Sequence, residues 1–177
     1  MNVYLREWKP EDREILASVC SQADRKYLSD RLPNPYTAED GERWISHVSK
    51  EDGKTGVFRA VEVWGTTAGN ISVERNPDFG GKDGEIGYLY LPEWCGKGVA
   101  TKAAGLICSL AFETLELLRI TGRVLGPNAA SRRVLEKNGF RLEGVMRKAV
   151  VKDGRVYDMY LYGLLREEWE RGNAAGE

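Results

Sequence analysis

Side chains able to hold a metal ion are scarce in this chain. One histidine, His47, and three cysteines, Cys20, Cys95 and Cys108, are all that 177 residues offer. The cysteines are odd in number and lack the short paired spacing of a Cys or Cys/His centre, so no metal site is expected. A surplus of one charge is missing too. The chain has 26 basic against 27 acidic side chains, which argues against a general grip on nucleic acid or on an anionic membrane. No apolar run approaches the length of a membrane span, and the N-terminus lacks the basic-then-apolar pattern of a leader. Unpaired thiols fit a reducing cytoplasm. Internal repeats, low-complexity tracts and linkers are likewise absent.

What is present reads as one globular unit. With 42% hydrophobic and 30% charged residues, residues 1–172 are long enough to bury a core as a single domain, and 173–177 read as a frayed tail. Val3 to Trp8 alternates as a first strand. Lys9-Pro10-Glu11-Asp12 starts a helix with Pro and acids in its first turn and with Ile15, Leu16 and Val19 as its apolar face. After the prolines between Asp30 and Pro35, Thr37 is the expected N-cap of a second helix carrying Trp44, Ile45 and Val48. Val57 to Val63 and Gly69 to Glu74 pair around Trp64-Gly65-Thr66-Thr67. Gly84 to Leu91 is a further strand. A long helix is expected from about Lys97 to Leu117 with Ala103, Leu106, Ile107, Leu110 and Ala111 buried. A short strand from Arg119 to Val124, a helix from Pro127 to Lys137 stopped at Asn138-Gly139, and a hairpin around Asp153-Gly154 complete the order. The fold class is α/β, with a mixed sheet of about seven strands.

The most informative segment is Tyr88-Leu89-Tyr90-Leu91-Pro92-Glu93-Trp94-Cys95-Gly96-Lys97-Gly98-Val99-Ala100-Thr101, where a strand meets a two-glycine turn and then a helix. Glycines let backbone N–H groups approach a ligand, and a helix start offers unpaired donors at the positive end of its dipole. That arrangement suits an anion such as a pyrophosphate. It is not a Walker A loop, because Gly98 follows Gly96-Lys97 where Ser or Thr is required. It is not the dinucleotide fingerprint, because Thr101 stands where a third glycine belongs.

The segment is similar to the acetyl-CoA loop of the GNAT N-acetyltransferases, Gln/Arg-x-x-Gly-x-Gly/Ala, with Glu93 in the Gln/Arg slot. Asn128-Ala129-Ala130-Ser131 through Leu135-Glu136-Lys137-Asn138-Gly139-Phe140 resembles a second stretch of the same family. Leu5-Arg6 with Pro10-Glu11-Asp12, Pro35-Tyr36-Thr37 with Trp44-Ile45, and Tyr160-Leu161-Tyr162 through Trp169 resemble its Rim-type, ribosomal-protein N-terminal branch. The resemblance implies a GNAT fold, mostly antiparallel, flanked by helices. It implies acetyl-CoA as acetyl donor, bound by backbone groups near Leu89 and Leu91 and by the amides of Gly96, Lys97, Gly98, Val99, Ala100 and Thr101. Asn128 would bond the pantetheine arm, and Ser131 would donate to the leaving thiolate. Lys97 and Lys102 either add charge there or are solvated.

For the base, Glu85 is the choice among the acids Glu74, Glu85 and Asp158, each of which also fits an ordinary charged role; His47, Tyr157 and Tyr160 read as bystanders, and Cys95 as a small filler. The acceptor is a primary amine: a protein N-terminus first, or a small amine such as an antibiotic or polyamine. A non-catalytic acyl-CoA sensor and a nucleotide-binding module are the readings from other classes. A homodimer is compatible with all of these.

Overall fold

The computed structural model describes residues 1–174. The chain runs β1 (Val3–Glu7), α1 (Arg13–Gln22), α2 (Ala38–Glu51), β2 (Gly56–Val63), β3 (Thr66–Arg75), β4 (Asp83–Tyr90), α3 (Val99–Leu115), β5 (Arg119–Leu125), α4 (Ala129–Lys137), β6 (Arg141–Lys152), β7 (Arg155–Leu165) and α5 (Arg166–Ala174). The seven strands form one sheet in the order β1-β2-β3-β4-β5-β7-β6. Neighbours are antiparallel except β4 and β5, which run parallel. This is the mixed α/β architecture expected from the order of elements.

Local chemistry explains where the elements begin and turn. Pro10 opens a 3-10 turn, Pro10–Asp12, rather than the first turn of α1. Asp12 is buried and takes the Arg6 guanidinium at 2.6 Å, while Arg6 also reaches Glu62 at 2.7 Å. Thr37 caps α2 in a reciprocal box with Asp40, which satisfies two donors that the helix start would otherwise leave bare. Trp64-Gly65 and Asp153-Gly154 are two-residue hairpin turns with both members at positive φ, the geometry that matches the twist of the flanking strands.

One face of the sheet is covered by α3. Its Val99, Ala103, Ile107, Cys108, Ala111 and Leu115 pack on sheet residues such as Val61, Ile71, Val73 and Ile120. The other face meets α1 and α2 through Trp8, Leu16, Cys20, Tyr36, Ile45 and Ala60. Two expected core positions are corrected. Leu106 is 45% exposed and Ile15 44% exposed: each lies next to a buried residue, about 100° around the helix from it, and so falls outside the sheet-facing stripe. The long helix starts at Val99 rather than Lys97, because Gly98 sits at φ +80 and cannot continue a right-handed helix. Helix α5 takes in Asn173 and Ala174 of the expected tail; 175–177 lie outside the described residues.

Candidate active site

The site begins with a break in the sheet. β4 and β5 are paired only at Asp83, Gly84 and Glu85 opposite Arg119, Ile120 and Thr121. Beyond that apex the strands diverge, and β4 presents an unpaired edge. Which residues offer that edge follows from the antiparallel period of two. The Leu91 N–H donates to Ala68 O at 2.9 Å, so Leu91 and, two residues back, Leu89 turn their main-chain groups toward β3. Tyr88 and Tyr90 turn theirs toward the gap. The expectation that Leu89 and Leu91 supply the free backbone groups is therefore corrected by one residue. Leu91 is buried and lies off both cavities of the gap, whereas Leu89 borders both.

At the end of β4 the chain passes through Pro92–Trp94 and the Gly96-Lys97-Gly98 turn into α3. Gly96 is at φ +75 and Gly98 at φ +80, and the space beside both is open. Gly98 makes no side-chain cap. The first amide to bond inside the helix is Lys102 N–H, to Gly98 O at 3.2 Å, which leaves the Val99, Ala100 and Thr101 N–H groups pointing out of the helix end. The Val99 side chain is fully buried in the core. Lys97 lies over the Trp94 ring at 5.4 Å, and Lys102 Nζ donates to Met1 O at 2.8 Å. Neither lysine lines the cavity at the turn.

Two cavities meet in the gap. The first, about 360 Å3, runs from the glycine turn along β4 to α4 and is walled by Tyr90, Trp94, Gly96, Gly98, Thr101 and Lys137 among others. The Tyr90 hydroxyl and Trp94 indole N–H are buried in its wall with no protein partner. Buried donors of this kind normally have one. Cys95 also borders it, but burial and the nearby Asp24 and Glu93 push its thiol pKa up, the opposite of a reactive thiolate.

The second cavity, about 350 Å3, lies on the α1–α2 side. It is lined by Tyr27, Leu28, Ser29 and Leu32 of the α1–α2 connection, Asn70 and Ser72 of β3, Glu85 to Leu89 of β4, and Gly122 to Leu125 of β5. Lys152 Nζ, buried at the end of β6, holds the connection in place through Asp30 at 2.7 Å.

Leu28, Tyr88, Leu89, Asn128 and Ser131 belong to both cavities. Asn128 caps α4, its Oδ1 accepting from Ser131 N–H at 3.2 Å, which leaves its amide NH2 free to face a ligand. The Ser131 and Tyr88 hydroxyls share a hydrogen bond of 2.7 Å. Burial pushes the Tyr88 hydroxyl up to about 12, against a smaller downward pull from Ser131.

Glu85 lines the second cavity only, half-exposed, with Arg123 Nε at 3.5 Å. Its carboxyl is raised by burial, while Arg123 draws it back and Asp83 and Glu74 push it further. The other base candidates line neither cavity, although Glu74 stands opposite Glu85 on β3. Asp158 accepts from Lys148 N–H at 2.8 Å, Glu74 takes the Ser72 hydroxyl at 3.4 Å, and His47 is exposed on α2. Tyr160 lies under the Arg132 guanidinium. Among the described residues no group of three or more His, Cys, Asp or Glu side chains is placed to hold a metal, and no helix is long and apolar enough to cross a membrane.

The sheet broken between two parallel strands, with a glycine turn and a free helix start at the open end, defines a class. Residues 2–141 match the family model described as Acetyltransferase (GNAT) domain. The chain belongs to the GNAT acetyltransferase family and is an N-acetyltransferase. It is similar to the Bacillus subtilis protein named "Putative ribosomal N-acetyltransferase YdaF", 39% identical over 174 residues, 96% of this chain and 94% of that one. Two solved structures share the fold. The ribosomal-protein-S5-alanine acetyltransferase from Vibrio fischeri superposes with a TM-score of 0.84 at 21% identity, covering 96% of both chains. Mycobacterium smegmatis RimJ, in complex with CoA-disulfide, gives 0.79 at 22% identity, covering 98% of this chain and 89% of that one.

Proposed function

We propose that the protein transfers the acetyl group of acetyl-CoA to a primary amine, and that the amine is a protein N-terminal α-amine. One observation carries the reading: two cavities, one ending on free main-chain donors and one bordered by a carboxylate, touch only around Ser131, Tyr88, Asn128, Leu28 and Leu89. A thioester lying in the first and an amine lying in the second would meet there. The coenzyme fits the residues present. Its pyrophosphate suits the α3 N-terminus and the glycine turn, its pantetheine amides suit the free Tyr88 and Tyr90 edge, and the Tyr90 and Trp94 donors lack partners. The similar fold of RimJ holds CoA-disulfide.

Roles follow from position. Main-chain N–H groups of β4 polarise the thioester carbonyl as charge develops on its oxygen; loss of one such donor typically costs about 3 kcal/mol. Ser131 donates to the departing sulfur. Glu85 takes the proton from an incoming ammonium, directly or through a water, and its raised pKa brings it nearer to that task. Magnitudes favour a terminal amine. Deprotonation at pH 7 costs about 1 kcal/mol for an α-amine near 7.8 and about 4.6 for a lysine near 10.4. A half-exposed carboxylate held by Arg123 is a weak base and suits the former. The three free cysteines fit a reducing compartment, the cytoplasm.

The test is CoA release with acetyl-CoA and a panel of acceptors: N-terminal peptides with blocked lysines, lysine peptides with blocked termini, and polyamines. N-terminal peptides are expected to turn over, with kcat/KM rising through an apparent pKa near 8 and then levelling. Turnover of lysine side chains alone, still climbing toward pH 10, would sink the α-amine reading. Polyamine turnover alone would move the protein to small amines.

A further inference from the structure

We propose that Tyr88 and Ser131 form a two-hydroxyl shuttle that carries the proton from the acceptor nitrogen to the departing sulfur. The shuttle rests on the reading that acetyl-CoA lies in the glycine-turn cavity and the amine in the other. Four observations support it. The two hydroxyls are 2.7 Å apart. Both residues border both cavities. Tyr88 Oη also lies 3.4 Å from the Ser131 carbonyl oxygen, so its O–H can rest on that carbonyl while Ser131 donates to Tyr88, or turn to Ser131 Oγ when Ser131 donates to sulfur. Glu85 borders the amine cavity alone, so it can receive a proton from an ammonium but does not reach the sulfur.

The step balances without an outside acid or base. The neutral amine attacks the carbonyl carbon and the C–N bond forms, leaving a surplus proton on nitrogen. As the adduct collapses and the C–S bond breaks, that proton passes to Tyr88 Oη, the Tyr88 proton to Ser131 Oγ, and the Ser131 proton to sulfur. The products are an amide and a neutral thiol, and each hydroxyl again holds one proton. A stepwise route is disfavoured. A thiolate with an ordinary pKa near 8.5 is too weak a base to strip a serine or a phenol, and burial, holding Tyr88 up at about 12, disfavours its phenolate. A concerted passage leaves neither anion. The groups facing Tyr88 fit this: Tyr90, whose ring centroid is 5.9 Å away, and Cys108, whose thiol burial raises, are both neutral near pH 7.

The experiment measures kcat and acetyl-CoA affinity for the wild type, Tyr88→Phe, Ser131→Ala, the double variant, and protein with 3,5-difluorotyrosine at position 88. The shuttle predicts that Tyr88→Phe lowers kcat by about a hundredfold, the usual scale for a lost proton-transfer group, with affinity kept. The double variant should be little slower than the slower single one, because two residues acting as a unit are not additive. The wild-type solvent isotope effect should vary non-linearly with deuterium fraction, reporting more than one proton in flight, and should become linear in Ser131→Ala. Difluorotyrosine, close to tyrosine in size but more acidic, keeps the fold and is expected to shift kcat. Wild-type kcat in Tyr88→Phe, multiplicative losses in the double variant, or a difluorotyrosine protein that turns over like wild type would each overturn the shuttle and leave acetyl transfer standing. Failure of the wild type to bind acetyl-CoA would overturn both.

Discussion

The two cavities beside Ser131 are made of different material. The side proposed for the coenzyme takes its anion donors from main chain: the open edge of β4, the glycine turn and the free amides of α3 all come from the continuous stretch Tyr88 to Thr101, with α4 side chains such as Arg133 and Lys137 across from them. The acceptor side is mostly side chain, drawn from the α1–α2 connection, β3, β4 and β5. Main-chain donors recognise a phosphate whatever residues flank them, provided the backbone conformation holds. A wall of side chains changes its preference with any one of them. The first construction suits a donor that never varies, and the second an acceptor that differs between relatives of one fold.

This contrast can be broken in four ways, taken from the largest effect down. Gly98→Glu should abolish acetyl-CoA binding, because it forces an L-residue to φ +80 and sets a carboxylate where the pyrophosphate belongs. Calorimetry on variant protein with an unchanged circular dichroism spectrum measures it, and retained affinity would put the coenzyme elsewhere. Ser131→Ala should lower kcat by about ten- to a thousandfold with affinity nearly intact; the Asn128 cap uses the Ser131 main-chain N–H and survives the change.

Arg123→Ala sharpens the acceptor side. Arg123 lowers the Glu85 pKa against burial, so its loss should raise that pKa further. Glu85 must be ionised to accept a proton, so the second, steeper fall of kcat/KM at acid pH, below the amine's own limb near 8, should begin at higher pH. A pH profile that superimposes on wild type would remove Glu85 from proton acceptance. The smallest effect belongs to Lys97→Ala. That side chain rests on Trp94 and not in the cavity, and an exposed cation is worth little in water, so the Kd for acetyl-CoA should rise by less than about threefold. A tenfold loss would show that side-chain charge counts on the coenzyme side after all.

The same contrast governs how much the sequence tells. The glycine turn, the N-cap Thr37 and the Asp153-Gly154 hairpin are local signals, and the structure places each where residues a few positions apart predict it. Glu85 and Ser131, which the sequence offers as candidate base and thiolate donor, both border the gap, Glu85 on the second cavity alone and Ser131 on both. Tyr27, Leu28, Asn70 and Arg123 were not legible as acceptor-cavity residues. They come together only through the pairing of β3 with β4 and the path of the α1–α2 connection, which no local pattern encodes. The misplacement of the free edge onto Leu89 and Leu91 has another cause. Strand periodicity fixes which side chains share a face, but the direction of the main-chain groups depends on the register with β3, visible only once Leu91 is seen bonded to Ala68. Tyr88 stood in the motif as part of an apolar run; its hydroxyl matters because α4 brings Ser131 to it.

The apex of the gap is itself fastened. Thr121 Oγ1 donates to Asp83 at 2.8 Å, and Arg119 bridges Asp83 at 3.5 Å and Glu143 of β6 at 2.6 Å. Mechanically, the sheet is two plates riveted at one end, β1 to β4 on one side and β5 to β7 on the other. A small rotation at the rivet becomes a larger displacement farther along, where Ser131 and the glycine turn lie. Both cavities therefore open from the same apex, and the three β4–β5 pairs with their Thr121, Asp83 and Arg119 fastening bound the width of each.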